Sequence, residues 1–417
     1  MCRFRQVSLT RRIRFFNRSG HSRMPSASRA IEDRSKNADI EVLRAVAILF
    51  TLVCHLNHLF PGRDARSDVL ARFDLWGGVD LFFCISGFVI ASSILHQPRA
   101  AAFAELAVPF WIRRIFRIWP AAMLWLVIPL ICAKFFNLTG EFGRLRWDLP
   151  GSGAAAAQVE NFYFMVCKHR LSWAWPCGKA DVYWSLSLEE QFYLVFPFLI
   201  FFLRKSTLRA VLWMLIAAQI FLIRPVDGAL WFVRTDALCF GVLLALARHD
   251  GGLKGGMPVL LEHRGITMYA ALILAGSIAL ISVSPSLRFN AGLLALASAG
   301  LVAIASLNAN LIVPAPHLRT AMLWIGSRSF AIYLAHIPCM LATREIFYRA
   351  FHAQTASALS SVAALLTAMA LLVLSAEGTY RIVETPFRVF GRRIAENWRN
   401  GAIRVPAFLR LWGRLTE

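Results

Sequence analysis

The chain has 417 residues, 58% of them hydrophobic and only 17% charged, with a mean hydropathy of +0.56. That balance is too apolar for a water-soluble globular protein, so lipid must be the solvent for most of it. A formal charge of +21 would suit nucleic acid if a soluble domain presented a basic face. No such domain is left once the apolar runs are removed, and arginine-rich membrane loops account for the charge, so nucleic acid is excluded as a partner.

In chain order, residues 1–38 carry ten Lys or Arg and no apolar core long enough for a signal peptide. They read as a basic, disordered cytoplasmic tail, with Met24 as an alternative start. Ten apolar runs follow, near 40–60, 78–96, 118–136, 184–203, 208–223, 229–247, 266–283, 290–312, 321–342 and 357–378. A hydrocarbon layer of about 30 Å needs roughly 20 helical residues, and open strands cannot cross it. The expected fold is therefore all-α, a polytopic transmembrane helix bundle of about ten spans, with residues 39–380 as its core. The run at 208–223 is short, and the one at 229–247 carries Arg234 and Asp236. Residues 381–417, basic and with Trp398 and Trp412, read as an amphipathic segment on the inner surface. With the N-terminus inside, inner segments hold 29 Lys or Arg and outer ones 12, which places both termini in the cytoplasm. The longest outer segment, 137–183, is long enough to be functional or ordered by its own contacts.

The eight cysteines form no CxxC pair and no Cys/His cluster, so no metal site or dithiol redox centre is indicated and most read as packing residues. Cys167 and Cys177 share the outer segment. They are either bridged, bracing Trp173 and Trp175, or two ordinary loop thiols.

The chemistry-bearing residues fall in and beside the spans. In RAVAILFTLVCH, Arg44 and His55 are eleven residues apart, three turns plus about 20°, which puts both on one helix face about 16 Å apart. An ionisable group at lipid depth is expensive, so both are candidates; the plainer readings are snorkelling for Arg44 and a packing hydrogen bond for His55. His58 lies one turn beyond, at the interface. Asp80, in GGVDLFFCISGF, could orient His55 as a general base or simply favour its own helix N-terminus. Ser86 and Gly87 read as close-packing positions. WIRRIFRIWP sets Arg113, Arg114 and Arg117 ahead of the third span, either as a phosphate cradle or as ordinary inner positive charge. In DVYWSLSLEEQFYLVFP, Glu189 and Glu190 project about 100° apart, so one of them should face the site. Arg234, Asp236, Tyr333, His336 and Glu384 read individually as structural hydrogen-bonding groups.

Taken together, RAVAILFTLVCH, GGVDLFFCISGF, RRIFRIWP, WSLSLEEQFYLVFP, RTDALCFG, SFAIYLAHIP and ETPFR, in that order over residues 38 to 390, resemble the acyltransferase-3 family of integral membrane O-acyltransferases. The resemblance implies a ten-helix core that moves an acyl group, acetyl above all, from cytoplasmic acyl-CoA to a hydroxyl of a cell-surface saccharide or glycolipid. It implies a bacterial cytoplasmic membrane, no permanently bound cofactor, and membrane lipid as a further partner. Arg44 and His55 fall on the family's arginine–histidine pair, and Arg114 with Arg117 on its R-x-x-R element. The resulting site has His55, Asp80 and Glu189 as catalytic residues and Arg44, Arg114 and Arg117 as binders of the acyl-CoA phosphates. The chain departs from one branch of the family in showing no SGNH-type domain after the core. Without the family match, a transporter or flippase of a glycan or small molecule is the rival reading, although no inverted repeat supports it.

Overall fold

The computed structural model describes residues 37–60, 74–97, 100–169, 177–226, 228–252, 257–284, 287–351 and 358–400. The expected tail before residue 37, Trp173, Trp175 and the segment from 401 with Trp412 lie outside the described residues. Among the described residues all regular structure is helical, as an apolar environment demands of backbone groups that must be satisfied within their own segment.

The first helix, α1 (Ala38–Cys54), is started by Asn37, whose side chain accepts the Ile40 N–H at 3.1 Å, with Asp39 and Glu41 in the first turn where the helix dipole favours them. A 3₁₀ turn, Leu56–His58, follows. Next come α2 (Gly78–Leu95), α3 (Phe103–Phe135), α4 (Leu145–Ala156), α5 (Glu160–His169), α6 (Tyr183–Phe202) and α7 (Lys205–Ile220). A second 3₁₀ turn, Ala229–Val233, leads into α8 (Asp236–His249), then the short α9 (Met257–Glu262), α10 (Arg264–Ser282), α11 (Asn290–Ser306), α12 (Pro316–Ser327) and α13 (Ser329–Phe351). The last, α14 (Ala358–Gly378), runs through a π-helical turn, Thr379–Glu384, into α15 (Thr385–Arg399).

Among the described residues, seven stretches are long and apolar enough to cross a membrane: Gly78–Leu95, Phe103–Phe135, Tyr183–Phe202, Ala229–His249, Arg264–Ser282, Ser329–Phe351 and Ser361–Arg399. The expected ten are not all of that length. Helices α1 and α11 have 17 residues and α7 has 16. The run at 321–342 is split at Arg328, between α12 and α13. A larger departure concerns α3, which has 33 residues and holds Arg113, Arg114 and Arg117 in its interior rather than ahead of it.

Helix α2 is the centre of the bundle and packs against α1, α8 and α11. Its crossing with α8 is made by glycines on both sides: a β-carbon on Gly87 would run into the Leu238 carbonyl oxygen, and one on Gly241 into that of Cys84. Small residues are how helices in lipid approach closely enough for backbone contact. Helix α15 lies along α3, with Gly391 against Phe116 and the Phe116 and Phe390 rings 5.3 Å apart. The long segment between α3 and α6 is tied to α13 by Glu345, which accepts the Leu138 and Thr139 N–H groups at 2.7 and 3.0 Å. Cys167 and Cys177 are joined in a disulfide, their Cα atoms 5.6 Å apart.

Candidate active site

Two of the cavities among the described residues hold the chemistry-bearing side chains. The first lies among α1, α2, α3, α6 and α13 and is lined by Arg44, Arg114 and Arg117 together with Phe82, Phe83 and Ile118. Arg44 is held by Glu41 one turn back, Nη1 to Oε1 at 2.9 Å. Arg114 lies over the Tyr193 ring at 5.5 Å and the Phe110 ring at 5.7 Å, a cation–π arrangement that fixes the guanidinium without neutralising it. Glu189 lines the same cavity and accepts hydrogen bonds from the Ser86 and Tyr193 hydroxyls. Its neighbour Glu190 is not part of that lining. Three guanidinium groups at one end of an apolar cavity make a site for an anion with a long apolar or amphipathic extension.

The second cavity lies at the other end of α1, where His55 follows the last helical residue. Its wall includes Thr51, Cys54, Trp76, Asp181, Trp184 and Arg234. His55 Nδ1 is 2.9 Å from the Thr51 carbonyl oxygen. A carbonyl only accepts, so Nδ1 carries a proton, and in the neutral ring Nε2 is then the nitrogen free to act as a general base. His336 repeats the arrangement on α13: its Nδ1 is 2.5 Å from the Tyr333 carbonyl, and its buried Nε2 has no hydrogen-bond partner among the described residues. The two imidazole rings are 5.0 Å apart, edge to face. The two cavities have Val79 and Tyr333 in common, so these two side chains form the wall between them.

The structure therefore gathers Arg44, Arg114, Arg117 and Glu189 in one cavity and His55 in the other. Asp80 does not orient His55. Its carboxylate is fully buried and takes both hydrogen bonds of a bidentate pair with Arg234, Nε at 3.0 Å and Nη2 at 3.1 Å. Arg234 in turn lies 3.6 Å from the Trp231 ring centroid, 4.9 Å from that of Trp184 and 5.5 Å from that of Trp76. A parallel pair, Arg224 with Asp236, is buried beside it. The backbone carbonyl of Thr51 fills the orienting role expected of Asp80, because His55 sits where the helix ends and its ring can fold back over the last turn. Glu189, read as catalytic together with His55 and Asp80, lines the arginine cavity and not the histidine one. Ser86, read as a packing position, donates to it. The spacing of Glu189 and Tyr193, one helical turn apart, was the available signal for that cluster.

These observations define a multi-pass helical membrane protein with an arginine-lined cavity and a histidine cavity on opposite sides of one thin wall. The acyltransferase-3 family model, described as an acyltransferase domain, matches residues 37–377, and the chain belongs to that family. It is similar to the peptidoglycan O-acetyltransferase OatA of Listeria monocytogenes, at 28% identity over 379 residues, covering 84% of this chain and 56% of that protein. It is also similar to the O-acetyltransferase OatA of Staphylococcus aureus, at 26% identity over 371 residues, covering 84% of this chain and 57% of that one. The chain thus spans less than two thirds of the length of these curated relatives. No solved structure matches.

Proposed function

We propose that the protein is a membrane O-acetyltransferase that takes the acyl group from acyl-CoA on the cytoplasmic side and delivers it to a saccharide hydroxyl on the other. The observation that carries this reading is the pair of cavities meeting at Val79 and Tyr333, arginines on one side and a histidine whose Nδ1 is held by a backbone carbonyl on the other. Arg44, Arg114 and Arg117 hold the phosphates of CoA, and the pantetheine arm runs along the apolar wall towards Tyr333. Glu189, with Ser86 and Tyr193, positions that arginine cluster rather than acting on the acceptor. The acceptor hydroxyl enters from the His55 side. Nε2 removes its proton as the oxygen attacks the thioester carbonyl; the C–S bond then breaks, and the departing CoA thiolate takes the proton. The family membership and the names of the two relatives support acetyl as the group moved and an envelope saccharide as its destination.

In this reading the membrane core is 39–380, with basic segments at 1–38 and 381–417 and both termini in the cytoplasm of a bacterial inner membrane. Helices α1, α7 and α11 join the seven longer stretches to give ten spans; 17 residues reach about 25 Å, enough where the layer is locally thinned. The test is transfer across a sealed membrane. Proteoliposomes given acetyl-CoA on one face and soluble peptidoglycan fragments on the other should release free CoA on the first face and acetylate the fragments on the second. Acetylation only when donor and acceptor share a face would end the two-cavity reading.

A further inference from the structure

We propose that the Val79–Tyr333 wall sets the length of acyl chain that the protein accepts; this rests on the acyl-CoA reading of the arginine cavity. The wall is fixed in place. The Tyr333 hydroxyl donates to the Val182 carbonyl at 2.7 Å and pairs with Ser185 Oγ at 2.7 Å, so the ring is pinned at its far end to the start of α6. Phe82 meets the same ring edge to face, with centroids 6.4 Å apart. Val79 stands opposite, on the first turn of α2, β-branched and therefore stiff about χ1. The Tyr333 ring cannot swing aside without breaking these buried hydrogen bonds.

The thioester carbonyl must reach the His55 side of this wall while the thiol remains on the arginine side. An acetyl group adds only a methyl beyond the carbonyl. Each further methylene enlarges the group that must be brought past Val79 and the Tyr333 ring, which Phe82 backs on the arginine side. A closely packed apolar wall discriminates roughly 10- to 200-fold per methylene. Trimming Val79 opens the arginine-side approach without touching an arginine or a histidine. Tyr333→Phe keeps the ring and releases its pin.

The test needs no acceptor. The purified full chain in lipid nanodiscs is titrated with CoA, acetyl-CoA, propionyl-CoA and butyryl-CoA, and each acyl affinity is divided by that for free CoA so that a damaged phosphate cradle cancels. Wild type should bind butyryl-CoA at least tenfold more weakly than acetyl-CoA. Val79→Ala should bring that ratio within about threefold, and Tyr333→Phe should move it the same way by less. A butyryl-to-acetyl ratio equal in wild type and both variants, with all three proteins binding CoA, would overturn the wall alone. Wild-type protein that binds no CoA at all would overturn the donor reading and the wall with it.

Discussion

The arginine cavity and the histidine cavity are built from different physics although they share a wall. At the arginine end positive charge is concentrated: three guanidinium groups face one space, only Arg44 of the three is held by a carboxylate among the described residues, that of Glu41, and Oε1 of the nearby Glu189 is occupied by two hydroxyls. Towards the histidine end two buried carboxylates are consumed by arginines. Asp80 is spent on Arg234, Asp236 on Arg224, and the tryptophan rings of that region pack around the Arg234 guanidinium. The His55 imidazole there is held by a backbone carbonyl. A cavity that binds a polyanion needs unpaired cations, whereas one that takes a proton from a hydroxyl needs a neutral base in a rigid frame.

The sharpest way to break that division is to damage each end and read both outputs. His55→Ala should reduce acetyl transfer by 10²-fold or more while acetyl-CoA affinity stays within a factor of about two, since a general base acts on the chemical step. Arg114→Glu with Arg117→Glu should do the reverse: acetyl-CoA affinity should fall steeply, and what binding is left should respond less to salt. Transfer rates and equilibrium binding measured on the same preparations check both. A His55→Ala protein retaining a tenth of wild-type transfer, or a double arginine variant with wild-type affinity, would dissolve the assignment of roles.

The next largest effect concerns the frame. Asp80→Asn leaves the Arg234 guanidinium buried among aromatic rings without its counter-charge, which costs about 3–5 kcal/mol in buried pairs. The variant should therefore lose thermal stability in detergent, yet the surviving folded fraction should keep the wild-type dependence of transfer on pH, because His55 is oriented by Thr51. A displaced pH–rate profile at unchanged stability would restore Asp80 to the role its position in the sequence suggested.

Asp80 also marks where reading the sequence stops. Its partner is 154 positions away, and no local pattern pairs them; either carboxylate in the second or eighth helix could equally have met His55. The extent of α3 was hidden for a related reason. Three arginines after an apolar stretch look like a loop, because charge at lipid depth is normally avoided. Here two of the three project into a cavity of the protein, which removes the penalty and lets the helix run on through Pro109 and Pro120. By contrast, the relative positions of Arg44, His55 and the R-x-x-R pair were legible. A single helix fixes the first two, spacing fixes the second pair, and each residue is costly enough in an apolar chain to demand a reason.

The smallest effect on transfer should come from Glu160, which lines neither cavity but bears on how the lobe between α3 and α6 is held. Its side chain is fully buried on the first turn of α5, and neither carboxyl oxygen has a hydrogen-bond partner among the described residues. Burial, reinforced by the charge of Asp181, pushes its pKa up from 4.5 to about 9. A carboxyl whose folded pKa is raised binds its proton more tightly in the folded state, so stability is greatest below 4.5 and is lost as pH rises towards 9. Glu160→Gln places a neutral amide in the same space and removes this dependence. Thermal unfolding of both proteins in one detergent from pH 5 to pH 9 should show little difference at the acid end and a widening advantage for the variant as pH rises. Transfer near neutral pH should hardly change, because the proton is still on the wild-type carboxyl there. A wild-type protein that gains on the variant with rising pH would mean that Glu160 is ionised against a cation, and the lobe would then be held by a charge rather than by a buried neutral acid.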